Sequence, residues 1–206
     1  MSLEAKNITF RYPRRGQRPV LEHVSLVLEP GERLGLSAPS GRGKTTLCRL
    51  LAGYQRPADG QVLLDGEPLS RYRGACPVQM IWQHPETALD PLLPLEASLH
   101  EAGPVEERLL EALHIQPQWL RRYPQELSGG ELQRFCIARA LGPRTRYLLC
   151  DEITAMLDQI TQAQIWQFLL EEARRRELGL LIVSHNSALL ERLCGRIVTL
   201  PPAGPP

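Results

Sequence analysis

Ser40, Gly41, Gly43, Lys44, Thr45 and Thr46 sit in the run Ser37-Ala38-Pro39-Ser40-Gly41-Arg42-Gly43-Lys44-Thr45-Thr46. The apolar Leu34-Gly35-Leu36 precedes this run, and Leu47-Cys48-Arg49-Leu50-Leu51 continues it as a helical pattern. A strand, a glycine-rich turn ending in Gly-Lys-Thr and a new helix make up the layout of a phosphate-binding loop. Backbone N–H groups of such a turn and the positive end of the helix converge on one point, where an anion finds several donors. Lys44 can reach the terminal phosphates of a nucleotide, and the Thr45 hydroxyl can hold Mg²⁺. The strict pattern has glycine where this chain has Ala38. Pro39 pushes the residue before it toward negative φ, so no left-handed conformation is required there and alanine is tolerated.

Two carboxylates form the second constellation. Tyr147-Leu148-Leu149-Cys150 is a continuous apolar run of the kind buried in parallel sheets, and Asp151-Glu152 ends it. Ligands bind at the carboxyl ends of such strands. Successive strand residues point to opposite faces, which predicts separate tasks for the pair. Asp151 suits Mg²⁺, and Glu152 suits activation of a water molecule. Leu180–Val183 reads as another buried strand ending in Ser184-His185, which puts His185 at the same sheet edge, within reach of a terminal phosphate. Ser128-Gly129-Gly130 opens a further helix, with Ser128 as N-cap and Leu132, Phe135, Cys136 and Ala140 as its apolar stripe. That helix tip is a second anion-seeking terminus.

The elements that must position these groups follow from periodicity. Residues 3–10 and 20–28 read as strands, the second with Val24, Leu26 and Leu28 on one face. Between them lies the polar turn Pro13–Pro19. Tyr12 stands before it, as a purine platform or a strand-end packing residue. The helix of the phosphate loop runs to about Ala52 and stops at Gly53. Residues 61–65, 78–82 and 196–200 read as strands, with Gln83 at the end of the second. The proline-rich stretch 84–95 reads as a loop. Residues 96–123 read as helical, with Pro104 at a helix start and Val105, Leu109 and Leu113 on one face. A helix over 159–178, closed by Gly179, is predicted from Ile165, Leu169 and Ala173. The helical stretch is thus inserted between two halves of an α/β core.

Composition narrows the function classes. The chain has 206 residues, 43% hydrophobic and 23% charged, enough for a core without disulfides. A net charge of +1 argues against nucleic acid as the main partner. The Arg14/Arg15/Arg18 and Arg174–Arg176 clusters read as solvated faces. Five scattered cysteines lack any metal-ligand spacing and read as buried side chains in a reducing compartment. No apolar run is long enough to span a bilayer, and no signal peptide opens the chain. Work at a membrane would require other subunits.

In this order the pieces resemble the ATP-binding subunit of ABC transporters over nearly the whole chain: Tyr12, the phosphate loop, Gln83, L-S-G-G-E-L-Q-R, Y-L-L-C-D-E, Leu157-Asp158 and His185. The resemblance implies an α/β fold: a P-loop NTPase core with a largely parallel sheet, an antiparallel β subdomain and an inserted helical subdomain. It divides a single domain, 1–200, into core and β subdomain (1–83 and 143–200) and helical subdomain (84–142), with a proline-rich tail at 201–206. It implies ATP and Mg²⁺ as cofactors and puts Tyr12 at the adenine. Gln83 joins Thr45 and Asp151 at Mg²⁺, and also joins Glu152, His185 and Lys44 in catalysis. Asp158 and Ser128-Gly129-Gly130 belong to a site shared between subunits. The implied assembly is a homodimer or a heterodimer with a homologous ATPase, docked on transmembrane permease subunits at the cytoplasmic face of the bacterial inner membrane. A solute-binding protein would take part indirectly.

W-Q-H-P-E-T-A-L-D-P, R-Y-P-Q-E-L-S-G-G and L-D-Q-I-T-Q-A-Q-I resemble the nickel and oligopeptide importer branch. The implied function is ATP-driven uptake of a nickel or other metal chelate, or a peptide. A non-transport ATPase in a soluble assembly and a degenerate half-site paired with an active homologue are the alternatives. Ile153 stands where the family has proline, Ala155-Met156 where Ser-Ala is common, and Asn186 where aspartate is usual.

Overall fold

The computed structural model describes residues 1–13, 19–101 and 103–201. The arginine cluster at 14–18 and all but the first residue of the proline-rich tail lie outside the described residues. In chain order the elements are β1 (Leu3–Phe10), β2 (Leu21–Leu28), β3 (Arg33–Ser37), α1 (Lys44–Leu51), β4 (Asp59–Leu64), β5 (Glu67–Pro68), β6 (Val78–Ile81), α2 (Leu95–His100), α3 (Glu107–Ala112), α4 (Gly129–Ala140), β7 (Tyr147–Asp151), α5 (Gln159–Arg176), β8 (Gly179–Val183), α6 (Ser187–Leu193) and β9 (Arg196–Thr199).

The strands sort into two sheets. One has the order β6-β7-β8-β3-β9 with every pair parallel, and the other has the order β2-β1-β4-β5 with every pair antiparallel. Strand period explains how the parallel sheet divides two cores. In β7, Leu148 and Cys150 face the core that includes residues of α2 to α6. Tyr147 and Leu149 face the other, packed with α1 and the antiparallel sheet. Asp151 continues the second set, so its carboxylate points toward α1. Burial in β2 alternates as its apolar residues predict, with Val24, Leu26 and Leu28 inside and Ser25 and Val27 outside.

Three expectations are corrected. The stretch 96–123 is not one helical run: α2 ends at His100, α3 begins only at Glu107, and Pro117–Trp119 forms a single 3-10 turn. Pro104 does not start a helix; Glu106 is the extended cap residue before α3. Arg108 on α3 reaches Glu172 on α5 with two hydrogen bonds, at 2.6 and 3.0 Å. The helix α5 is closed by Glu177 in the left-handed conformation (φ 54°) rather than by Gly179. The N–H groups of Glu177 and Leu178 both donate to Ala173 O, completing the turn. Gly179 answers a different need, because a Cβ there would lie 2.6 Å from the Tyr147 ring and 2.8 Å from Glu29 O. Cys48, Cys136 and Cys150 are buried, while Cys76 and Cys194 are half-buried, and all five are free thiols.

Candidate nucleotide site

The loop between β3 and α1 carries out what its residue types suggest. Gly41 and Gly43 take positive φ, whereas Ala38 does not and is buried. Alanine therefore fits the position where the strict pattern has glycine. Lys44 opens α1 and is only 6% exposed. Its Nζ donates to Ala38 O at 2.7 Å and Pro39 O at 3.3 Å, which holds the ammonium over the loop. Glu152 Oε1 lies 3.7 Å from the same nitrogen.

The expectation that Asp151 and Glu152 face opposite sides is overturned. The strand β7 stops at Asp151, and Glu152 adopts φ 51° while its N–H donates to Val183 O. This left-handed step turns the Glu152 side chain back toward α1, so both carboxylates serve one site. Glu152 Oε2 also lies 3.4 Å from His185 Nδ1, while the His185 ring is 65% exposed. Asp151 is buried and hydrogen-bonded to the Thr45 side chain. Burial pushes its carboxyl above the ordinary range and the Glu152 charge adds to this, while Thr45, Lys44 and Arg49 oppose the shift. A cation at this point would offset the same destabilised charge.

A pocket of about 640 Å³ opens here, lined by Tyr12, Ser40, Gly41, Gly43, Lys44, Thr45, Thr46, Gln83 and Glu152, together with Val20 and Arg49. Tyr12 packs edge-on against Phe10 at 4.9 Å, and its hydroxyl lies 3.1 Å from Thr46 Oγ1. Burial raises the Tyr12 phenol, but hydrogen bonds with Thr46, Gln55 and Arg49, together with the Arg49 charge, bring it below its ordinary value. The donor set suits Mg²⁺. Among the described residues no group of three His, Cys, Asp or Glu side chains forms a protein cage for a metal. Mg²⁺ prefers one or two protein oxygens plus phosphate oxygens, and the adjacent Thr45 hydroxyl and Asp151 carboxylate supply the former.

Ser128, Gly130 and Asp158 do not join this pocket. They line a separate one of about 460 Å³ with Met156, Leu157, Thr161, Trp119 and Arg134. Ser128 caps α4 in a reciprocal box: its Oγ accepts from the Glu131 N–H at 3.4 Å, and its own backbone N–H donates to Glu131 Oε2 at 2.7 Å. Gly129 is the first residue of α4. Asp158 caps α5, its Oδ1 accepting from the N–H groups of Ile160 and Thr161 at 3.0 Å. Thus Lys44, Thr45, Asp151, Glu152, His185, Gln83 and Tyr12 gather at one place, and the Ser128 terminus gathers with Asp158 at another.

Sequence reasoning missed Arg49. It lies one helical turn beyond Thr45, on the same face of α1, and that spacing was the available signal. The residues that depart from the family pattern each have a structural place. Ile153 is buried in the core, Met156 is 73% exposed, and Asn186 caps α6 by accepting from Leu189 N–H at 3.1 Å.

A phosphate loop at the carboxyl end of a parallel sheet, with a buried aspartate beside its threonine, defines a phosphate-loop nucleotide-binding protein. The family model for ABC transporters matches residues 21–155, and the chain belongs to this family. The chain is 36% identical to the nickel import ATP-binding protein NikE of Rhodospirillum rubrum, over 91% of this chain and 74% of that one. It is 34% identical to the glutathione import ATP-binding protein GsiA of Pectobacterium atrosepticum, over 96% of this chain but only 36% of that longer protein. Among solved structures, a dimeric ABC transporter cassette, MJ0796, superposes with a TM-score of 0.81 at 25% identity, covering 96% of this chain and 94% of that one.

Proposed function

We propose that the chain binds and hydrolyses ATP as the motor subunit of an ABC import system for a nickel or other metal chelate, or a small peptide. The observation that carries this reading is the convergence of Lys44, Thr45 and Glu152 on one pocket, with Asp151 against Thr45 and His185 against Glu152. The import-system names of the relatives favour transport over a soluble assembly. A degenerate half-site is disfavoured because each phosphate-, metal- and water-directed group is present.

Each residue then has a task. Loop N–H groups and the Lys44 ammonium grip the β- and γ-phosphates, and the Tyr12 ring borders the adenine. Thr45 and Asp151 would hold Mg²⁺, with Gln83 at the same pocket. When bound, that ion neutralises charge developing on the phosphates. Glu152 orients the attacking water and accepts its proton, with Lys44 and His185 flanking the two carboxylate oxygens. Positioning and charge stabilisation supply most of the acceleration in such reactions.

The site is completed by a second subunit, a copy of this chain or a homologue, whose Ser128-Gly129-Gly130 terminus faces the γ-phosphate. Binding of ATP closes the pair and hydrolysis lets it part. Separate transmembrane subunits, served by a solute-binding protein, hold the pair at the cytoplasmic face of the membrane. Among the described residues no helix is long and apolar enough to cross it.

Glu152→Gln tests this reading. It preserves shape and should retain ATP binding while slowing turnover by about 10²–10⁴-fold, the span for a general base. Unchanged turnover would remove Glu152 from its role.

A further inference from the structure

We propose that Arg49 is a positioning residue for Gln83, acting through Trp82. This rests on the reading above, in which Gln83 works at the nucleotide. Gln83 follows β6 by two residues and belongs to no helix or strand. Where its amide can reach is therefore set by how the preceding residue, Trp82, is held.

Trp82 is held from three sides. The Arg49 guanidinium lies over its ring, 5.1 Å from the centroid. The Tyr54 ring packs against it at 5.2 Å, tilted by 55°. Its carbonyl accepts from Nε2 of Gln133, a buried residue of α4, at 3.4 Å. Of these holds, the Gln133 bond is at the long limit and Tyr54 is 56% exposed. Stacking of a partly desolvated guanidinium on indole is the best-defined of the three.

Arg49 also belongs to the nucleotide pocket that Gln83 lines, and it neighbours the Tyr12 hydroxyl and Asp151. Its Nε is buried without a hydrogen-bond partner among the described residues. The guanidinium hydrogen-bonds the Tyr12 side chain, and its contact with the Trp82 ring offsets the unpaired Nε. Trp82 thereby joins α1, which carries Lys44 and Thr45, to α4, which begins at the Ser128 terminus. A shift of either helix is passed to Gln83.

The test uses Arg49→Met and Arg49→Lys in the full chain, each alone and combined with Gln83→Ala, with kcat and KM for ATP measured separately. Arg49→Met is expected to lower kcat about tenfold, the low end for residues that orient a ligating group, and to change KM less than about twofold. Arg49→Lys, which keeps a cation over the ring, should recover part of the loss. Added to Gln83→Ala, Arg49→Met should cost nothing further, because it acts only through Gln83. Losses that multiply in the double variant, or a tenfold rise in KM at unchanged kcat, would assign Arg49 to the nucleotide itself and overturn the proposal.

Fluorine NMR of chain labelled with fluorotryptophan gives a reading independent of turnover. The three tryptophans give three signals, and Trp82→Phe assigns one. Arg49→Met should move the Trp82 signal and leave the Trp166 signal in place. An unmoved Trp82 signal, or equal movement of all three, would overturn the proposal. A wild-type chain that neither binds nor hydrolyses ATP would sink the proposed function, while the fluorine signal would still decide whether Arg49 holds Trp82.

Discussion

Replacing Gly43 by alanine strains the phosphate loop in two ways that Gly41→Ala separates. Both glycines take left-handed φ, +76° at Gly41 and +88° at Gly43. Any L residue there costs about 1–2 kcal/mol, reduced by about 0.4–1 kcal/mol because alanine also restricts the unfolded chain. At Gly41 an added Cβ meets nothing within 4 Å, so the conformational cost is the whole effect. At Gly43 the same atom would lie 2.8 Å from Leu21 Cδ2, 3.0 Å from Val20 Cγ1 and 3.2 Å from Val20 O. The side-chain ends can swing, but the carbonyl is backbone, so an overpacking cost of about 1–3 kcal/mol is added.

Gly41→Ala should therefore lose about 1 kcal/mol and Gly43→Ala about 2–4 kcal/mol, read as urea midpoints at constant slope. Relief of the Gly43 clash displaces the residue immediately before Lys44. Saturating ATP, which stabilises a binding-competent chain by about 2.7 kcal/mol at a hundredfold excess over Kd, should still protect Gly41→Ala and fail to protect Gly43→Ala. Equal destabilisation by the two substitutions, or full protection of both, would refute the steric account.

Three other outcomes are expected. Burial raises the Glu172 carboxyl, but hydrogen bonds from Arg108 and Arg175 bring it below the ordinary range. Its contribution, about 1.5–3 kcal/mol for charged hydrogen bonds, should be complete above the unfolded carboxylate pKa of about 4.3 and vanish as pH falls through the lower folded value. Urea titrations of wild type and Glu172→Gln at several pH values check this, and should converge in acid. Thr154→Val should cost about 1–3 kcal/mol, because the buried Thr154 Oγ1 accepts from Gln162 Nε2 and Trp166 Nε1, at 2.8 and 3.1 Å. Thermal unfolding reads the loss. Asn186→Asp should leave stability unchanged while Asn186→Ala loses about 1 kcal/mol, since either Asn or Asp caps a helix; calorimetry distinguishes them.

The parts of the fold visible in the sequence were those set by local pattern. Val24, Leu26 and Leu28 announced a half-buried strand, Tyr147–Cys150 a buried one, and Ser128 a capped helix. The phosphate loop was readable because its task requires glycine, lysine and threonine at fixed spacing. What escaped depended on contacts distant in sequence. Arg108 of α3 meets Glu172, 64 positions away, and Gly179 is required by the ring of Tyr147 rather than by the end of α5. Glu152 illustrates the same limit within a site. Its residue type suggested a base, but only the left-handed turn after β7 brings it beside Asp151. Arg49 lay in plain view on α1, yet its importance depends on Trp82, which is 33 positions away.

The separation of the Lys44 pocket from the Ser128 terminus has a genetic consequence. If the Ser128 terminus of one subunit completes the Lys44 pocket of the other, as proposed, a lesion in either feature alone damages both composite sites in a pair of identical subunits. Co-expression of one chain altered at Lys44 with another altered at Ser128 sorts the damage differently: within the mixed pair, one site collects both lesions and the other is whole. Two inactive alleles would then rescue each other in the same cell, whereas two lesions within the Lys44 pocket would not.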